Sequence, residues 1–240
     1  MSIPTGFSTG CFYQTDWTLG AKIALGKLLG ADAVELSFAT EEQLDEFEFN
    51  ERIKRHVSFF KFISVHAPWL EISYDRGTAK RISRKILEKF GDFSLNSVVL
   101  HPTNEMDFKY FNDHELPFAI ENMDNRKDNY RDPESIRQVL EKNKKIGAVL
   151  DLQHLYEYDR DVWKFLPYFL DAMAGRLTHL HVSGCAPEKL HVPVYQAKNY
   201  WGIERALDRV RDKPRILEGV ISKSIIYIAR MEMESMKKFR

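Results

Sequence analysis

The stretch Gly147-Ala-Val-Leu-Asp151-Leu-Gln-His154 opens as a short apolar run of strand character. Where the strand should stop, it presents a carboxylate and an imidazole three residues apart. Alone, a D-x-x-H pair reads as well as a turn start and a loop cap as it does a pair of metal ligands. Recurrence decides between them: an apolar segment closed by one ionisable residue returns along the whole chain.

From Ile3 a short apolar segment ends near Thr9-Gly10, and a helical pattern runs from Trp17 to Leu29 with Thr15 or Asp16 as N-cap and Gly30 as stop. Ala31 to Phe38 is the second strand, and Thr40-Glu-Glu-Gln43 is a capping box that opens a second helix. Lys61 to His66 is the third strand, followed by a helix from Thr78 to Phe90 closed by Gly91. Ser97 to Pro102 is the fourth, and only one small helix fits between Asn104 and Leu116. Pro117 to Asn122 is the fifth, after which Asp132-Pro133 starts a helix that runs to about Asn143. Gly147 to Asp151 is the sixth. A helix from about Asp161 to Ala174 follows, kinked or divided at Pro167 and ended by Gly175. Leu177 to Ser183 is the seventh strand, Asn199 to Val210 a helix, and Arg215 to Gly219 the eighth strand. The last helix begins near Ser222 and is expected to pack Ile225, Ile226, Ala229 and Met233 into the core.

The early strand positions Ile3, Ala33, Phe62, Ser97, Phe118, Ala148, Thr178 and Arg215 are separated by 30, 29, 35, 21, 30, 30 and 37 residues. Eight βα units at near-constant spacing predict an α/β fold of the (β/α)8 TIM-barrel type. One domain over residues 1–240 is expected, with its active site at the C-terminal ends of the strands. A doubly wound open sheet gives the same alternation, but no Gly-rich phosphate loop follows the first strand.

Thirty-five basic and thirty-five acidic residues cancel, so no global field draws the chain to nucleic acid or to an anionic membrane. Cys11 and Cys185 are the only cysteines, which argues against a disulfide framework and fits a reducing compartment. The N-terminal residues lack the basic flank and apolar run of a signal peptide, and no apolar segment is long enough to span a bilayer. A cytoplasmic protein with no membrane partner is the expectation. No stretch specifies an oligomeric interface.

Seven strands end on a polar residue directly preceded by a branched apolar one: Val34-Glu35, Val65-His66, Leu100-His101, Ile120-Glu121, Leu150-Asp151, Leu180-His181 and Leu217-Glu218. Side chains alternate along a strand, so if the apolar partner faces the helices the polar one faces the barrel axis. Four carboxylates and three imidazoles at one mouth call for compensating charge, and divalent cations are the natural source. His154 and His191 add two nitrogen donors, and mixed His and carboxylate ligation suits zinc or manganese better than calcium or magnesium. His179 shares the facing of His181 one layer deeper, where a hydrogen-bonded supporting role is expected. His56 and His114 read as surface residues.

The segments V-E-L at the second strand, H-A-P-W-L at the third, L-H-P at the fourth, I-E-N at the fifth, L-D-L-Q-H at the sixth, H-L-H-V-S at the seventh and L-E-G at the eighth resemble the xylose-isomerase-like TIM-barrel superfamily. That superfamily includes sugar isomerases and epimerases, inosose dehydratases and the endonuclease IV type of apurinic endonuclease. In its isomerase branch one metal is held by residues that look like Glu121, Asp151, His181 and Glu218. The endonuclease branch adds donors for two further zinc ions, and His66, His101, His154 and His191 look like four of them. The remaining carboxylate should lie two residues before His191, where Lys189 stands instead. That removes a ligand and provides a cation able to meet a substrate phosphate or carboxylate.

The resemblance implies a divalent-metal enzyme binding one Zn, Mn, Co or Mg ion, with two or three ions as the alternative. The leading expectation is an isomerase or epimerase acting on a small sugar or sugar phosphate. In it a metal polarises the carbonyl and stabilises an enediolate while Glu121 and Glu218 serve as acid and base. Glu35, Trp69 and Lys189 would contact substrate, with Phe12 or Trp201 as a further wall. The alternative is a zinc-dependent phosphodiesterase of the endonuclease IV type. The short connection after the fourth strand and the lack of long basic loops disfavour a nucleic-acid partner. A non-catalytic metal-binding barrel is the third reading.

Overall fold

The computed structural model describes residues 3–160, 162–222 and 224–239. Eight parallel strands close into a barrel: β1 (Thr5–Ser8), β2 (Ala33–Ser37), β3 (Phe62–His66), β4 (Ser97–Leu100), β5 (Phe118–Glu121), β6 (Gly147–Asp151), β7 (Leu177–Val182) and, after a two-stranded insertion β8 (Gly184–Ala186) and β9 (Lys189–Val192), β10 (Arg215–Leu217). β10 pairs with β1 and with β7, which closes the ring. The fold is the expected (β/α)8 barrel. The barrel strands are mostly or wholly buried, as parallel strands between a filled interior and a ring of helices must be. Among the described residues no helix is long and apolar enough to cross a membrane.

Register fixes which residues share the interior. Gly6 pairs with Ala33 and Ile216, and Ala33 with Phe62; Ala33, Phe62 and Ile216 form one apolar plug. Val99, Ala119 and Val149 form a second one. A Cβ at Gly6 would come within 1.6 Å of the Ala33 carbonyl oxygen, so only glycine allows β1 and β2 to approach this closely at that point. Above these plugs the same interior parity continues into the ionisable strand ends.

The helices follow local chemistry closely. α1 (Leu19–Leu28) is capped by Thr18 rather than by Thr15 or Asp16, because the Thr15 hydroxyl instead donates to the Phe12 carbonyl and closes a 3-10 turn. Gly30 at φ 75° terminates it. The capping box at Thr40 opens α2 (Glu41–Glu46), with the Gln43 side chain accepting from Ala39 N–H. A second short helix, α3 (Glu51–Val57), capped by Asn50, was not foreseen. α4 (Arg76–Phe90), α5 (Phe108–Asp113) and α6 (Pro133–Lys142) match expectation, α6 with Asp132 as N-cap and Pro133 in the first turn.

Asp151 opens α7 (Leu152–Tyr158). α8 (Val162–Ala172) runs through Pro167 without being divided; Asp161, the expected start, lies outside the described residues. α9 (Tyr200–Arg209) and α10 (Ile225–Lys237) complete the ring. In α10, Ala229 and Met233 are buried, but Ile226 is exposed, against the expectation that it packs inward. Cys11 and Cys185 are both free thiols.

Candidate metal centre

Strand parity and register bring most of the expected donors to one floor. His66 pairs with Val99, Glu121 with Val149, and Asp151 with His181. Glu218 follows β10 directly, its N–H bonded to the Val182 carbonyl at 3.0 Å. Glu121, Asp151, His181 and Glu218 offer one ligand atom each within 4.8 Å of one another. A second group, His66, His101 and Glu121, meets the same criterion, so Glu121 is common to both. Its Oε2 lies 3.4 Å from His101 Nε2, 3.5 Å from His66 Nε2 and 3.4 Å from His181 Nδ1, while its Oε1 lies 3.2 Å from His154 Nδ1. Glu218 Oε2 is also 3.4 Å from His181 Nδ1.

A divalent cation fits these residues. Glu121 Oε2, Asp151 Oδ2 and His181 Nδ1 are buried with no hydrogen-bond partner. Three orphaned polar atoms in one barrel interior carry a desolvation cost that shared coordination of a cation removes. The histidine rings are turned accordingly. His66 Nδ1 meets the Ala67 carbonyl at 3.0 Å, His154 Nδ1 the Asn122 carbonyl at 2.9 Å, and His191 Nδ1 the Ser183 hydroxyl at 3.1 Å. In His66 and His191 this leaves Nε2 for a ligand, while His154 Nε2 lies 3.7 Å from Asp124 Oδ2. His181 is the reverse, with Nε2 committed to Glu35 Oε2 at 3.2 Å and Nδ1 left over. A ring nitrogen held by a carbonyl or carboxylate sets the tautomer and raises the donor strength of the other nitrogen.

Two side chains position the ligands from behind. Asn122 latches the end of β5 to the end of β6, accepting Asp151 N–H at 2.7 Å and donating to the Asp151 carbonyl at 3.1 Å. Asp151 Oδ1 accepts His154 N–H at 2.7 Å, so the D-x-x-H stretch is at once a helix cap and a pair of site residues. Glu35 is fully buried, accepting from Ser64 at 2.9 Å and lying 3.5 Å from His179 Nε2. It does not reach substrate space as expected. Glu35 pairs with Ser64, and the β2 residue level with His66 is Ser37, so Glu35 sits one layer too deep. Its place is beneath His181, with His179 as the anticipated supporting imidazole.

The electrostatics separate the two carboxylates that flank His181. Burial would raise Glu121, but His181, His101 and His154 outweigh it and hold its carboxyl well below the usual range. Glu218 is pushed up to about 8 by burial and, against the pull of His181, by the neighbouring Glu121, Glu35 and Asp151. Burial opposes protonation of His154, yet Asp151, Glu121 and Asp124 push it up to about 10.

Above this floor opens a cavity of about 1350 Å³, lined by His66, His101, Glu121, His154, His191 and Glu218 at its base. Trp69 forms part of the wall and packs on His101, ring centroids 5.6 Å apart. Phe12 is in the core against Phe7, and Trp201 is exposed on α9; neither lines this space, and Trp17, Phe38 and Phe47 do instead. Lys189 is exposed and lines a separate groove with Arg160 and Lys198. The β8–β9 insertion carries left-handed backbone at Glu188 (φ 58°) and His191 (φ 50°), which breaks the alternation that would have put Lys189 and His191 on one face. His56 is half-buried and lines the cavity, and His114 is half-buried with Nδ1 accepting Leu116 N–H; each is partly exposed and less open than a free surface position.

Two cavity-side residues escaped the sequence reading. Asp124, 2% exposed, and Arg126 follow Glu121 in the loop after β5, and Arg126 reaches the cavity. The polar run E-N-x-D-x-R directly after an interior strand was the available signal.

Solved structures with the same architecture span almost the whole chain. A D-tagatose 3-epimerase-like protein superimposes with TM-score 0.74 at 16% identity over 99% of this chain and 97% of its own. The fold that they share with this chain is the closed (β/α)8 barrel. A probable 3-DHS dehydratase from Bacillus anthracis shares this barrel at TM-score 0.70 and 16% identity, over 99% of each chain. Endonuclease IV from Thermus thermophilus shares it at 0.68 and 16%, over 98% of each. No protein-family model and no curated protein sequence matches the chain. Barrels of this kind thus carry both chemistries that the sequence raised.

Proposed function

We propose that the protein is a divalent-metal-dependent isomerase or epimerase of a small sugar or sugar phosphate. The observation that carries this reading is the pair Glu121 and Glu218, each 3.4 Å from His181 Nδ1 at the floor of a deep, aromatic-walled cavity. Glu121, Asp151, His181 and Glu218 would hold the ion. When bound, it supplies Lewis-acid polarisation of a substrate carbonyl. Glu121, kept ionised by its histidines, takes the proton from the carbon beside that carbonyl, and Glu218, at the same distance from His181 Nδ1, returns it. His154, at 3.2 Å from Glu121 Oε1, steadies the base and donates to substrate oxygens. Trp69 packs against the sugar ring.

The His66, His101 and Glu121 group favours a second reading, phosphodiester hydrolysis at a centre of two or more ions. Solvent exchange separates the two. Incubation of ketoses and ketose phosphates with the metal-loaded protein in D2O is expected to place deuterium at the carbon next to the carbonyl, detected by proton NMR. Cleavage of phosphodiesters with no carbon-bound exchange in any sugar would replace the first reading by the second.

A further inference from the structure

Arg126 is held in a way that neither the metal centre nor the barrel requires. Asp124 is buried and grips Arg126 three times: Oδ1 accepts its N–H at 2.8 Å, and Oδ2 accepts from Nε at 2.6 Å and from Nη2. Asp124 Oδ2 also lies 3.7 Å from His154 Nε2, so a chain of polar contacts runs from Glu121 through His154 and Asp124 to the guanidinium. Arg126 itself is 64% exposed at the side chain and lines the cavity beside His154 and His191.

A guanidinium has a planar fork of five N–H donors. Nε and Nη2 are spent on Asp124, which fixes the plane, and among the described residues no hydrogen bond occupies Nη1. Arg126 therefore lines the cavity with its guanidinium plane already fixed, and its rotamer cost is met before any ligand arrives. Ordinary surface Asp–Arg pairs expose both partners; here the anion is buried and only the cation faces the ligand space. Neutral sugar hydroxyls need no such fixed positive charge, whereas a phosphoryl group takes two of these N–H groups at once.

We infer that Arg126 forms a phosphoryl-binding subsite of the cavity, so that the substrate carries a phosphate. This rests on the proposed small-molecule reading for its biological meaning, while the binding itself is testable alone. Metal-loaded wild-type, Arg126→Gln and Arg126→Lys proteins are titrated calorimetrically with inorganic phosphate, and metal content is measured on each sample. Phosphate affinity is expected to fall at least about tenfold in Arg126→Gln and by less in Arg126→Lys, with metal content unchanged. Glycerol phosphate and its methyl ester then distinguish the source: tighter monoester binding marks a sugar phosphate, tighter diester binding a phosphodiester, and both depend on Arg126. Equal phosphate affinity of wild type and Arg126→Gln, both folded and metal-loaded, overturns the subsite. A wild-type protein that holds no metal defeats the proposed function while leaving the effect of Arg126 on phosphate affinity readable.

Discussion

Replacing Glu121 with Gln is expected to lower turnover by at least about a thousandfold while leaving the far-ultraviolet circular dichroism unchanged. Gln keeps the volume and the buried position of the side chain, so the core loses nothing. What disappears is the anion faced by four imidazoles, His66, His101, His154 and His181. Acid–base action alone accounts for about 10²–10⁴ in rate, and the loss of a ligand common to both donor groups adds to it. Metal content should fall in the same variant. Turnover within tenfold of wild type would show that Glu121 is neither base nor essential ligand.

Metal removal should cost a large part of the stability, and more at alkaline than at acid pH. In the metal-free protein burial pushes Glu218 up to about 8 and Glu232, in α10 and accepting Val194 N–H at 2.7 Å, up to about 7. Both lie above the ordinary carboxyl value of 4.5. Between those values the folded state binds more protons than the unfolded one, so these two groups make stability fall as pH rises from about 5 to 8. A cation binds the deprotonated ligands and competes with protons, so its stabilisation grows over the same window. At a concentration about a thousandfold above Kd it contributes about 4 kcal/mol, a rise in Tm of roughly 8–16 °C for a domain of this size. Scanning calorimetry with and without zinc or manganese at pH 5.5 and 8 measures this. An identical Tm with and without metal at pH 8 would contradict it. The Glu232→Gln variant should flatten part of the pH dependence in both forms, because that residue lies outside the donor set.

Much of this was legible because barrel geometry is periodic. A branched apolar residue followed by an ionisable one at seven strand ends fixes parity, and parity alone brings His66, His101, Glu121, Asp151, His181 and Glu218 to one floor. Depth is set by inter-strand register, which a single sequence does not encode, and Glu35 shows the consequence: right face, wrong layer. Lys189 was misplaced for a different reason. The resemblance places it only by its spacing from His191, and the intervening backbone turns through left-handed, non-glycine residues at Glu188 and His191 that nothing in the composition announces. Arg126 was passed over because its meaning comes from Asp124 being buried, a tertiary property. The motif at Asp151 and His154 proved double: the turn reading and the ligand reading describe the same two side chains.

The central claim, a divalent cation held by Glu121, Asp151, His181 and Glu218, is tested most directly by elemental analysis of tag-free protein, purified without chelators and dialysed against trace metals, alongside the His181→Ala variant. At least one equivalent of a divalent metal ion per wild-type chain is expected, reduced to below about a tenth in the variant. Wild-type protein that retains none, after exposure to zinc, manganese, cobalt and magnesium in turn, would contradict it.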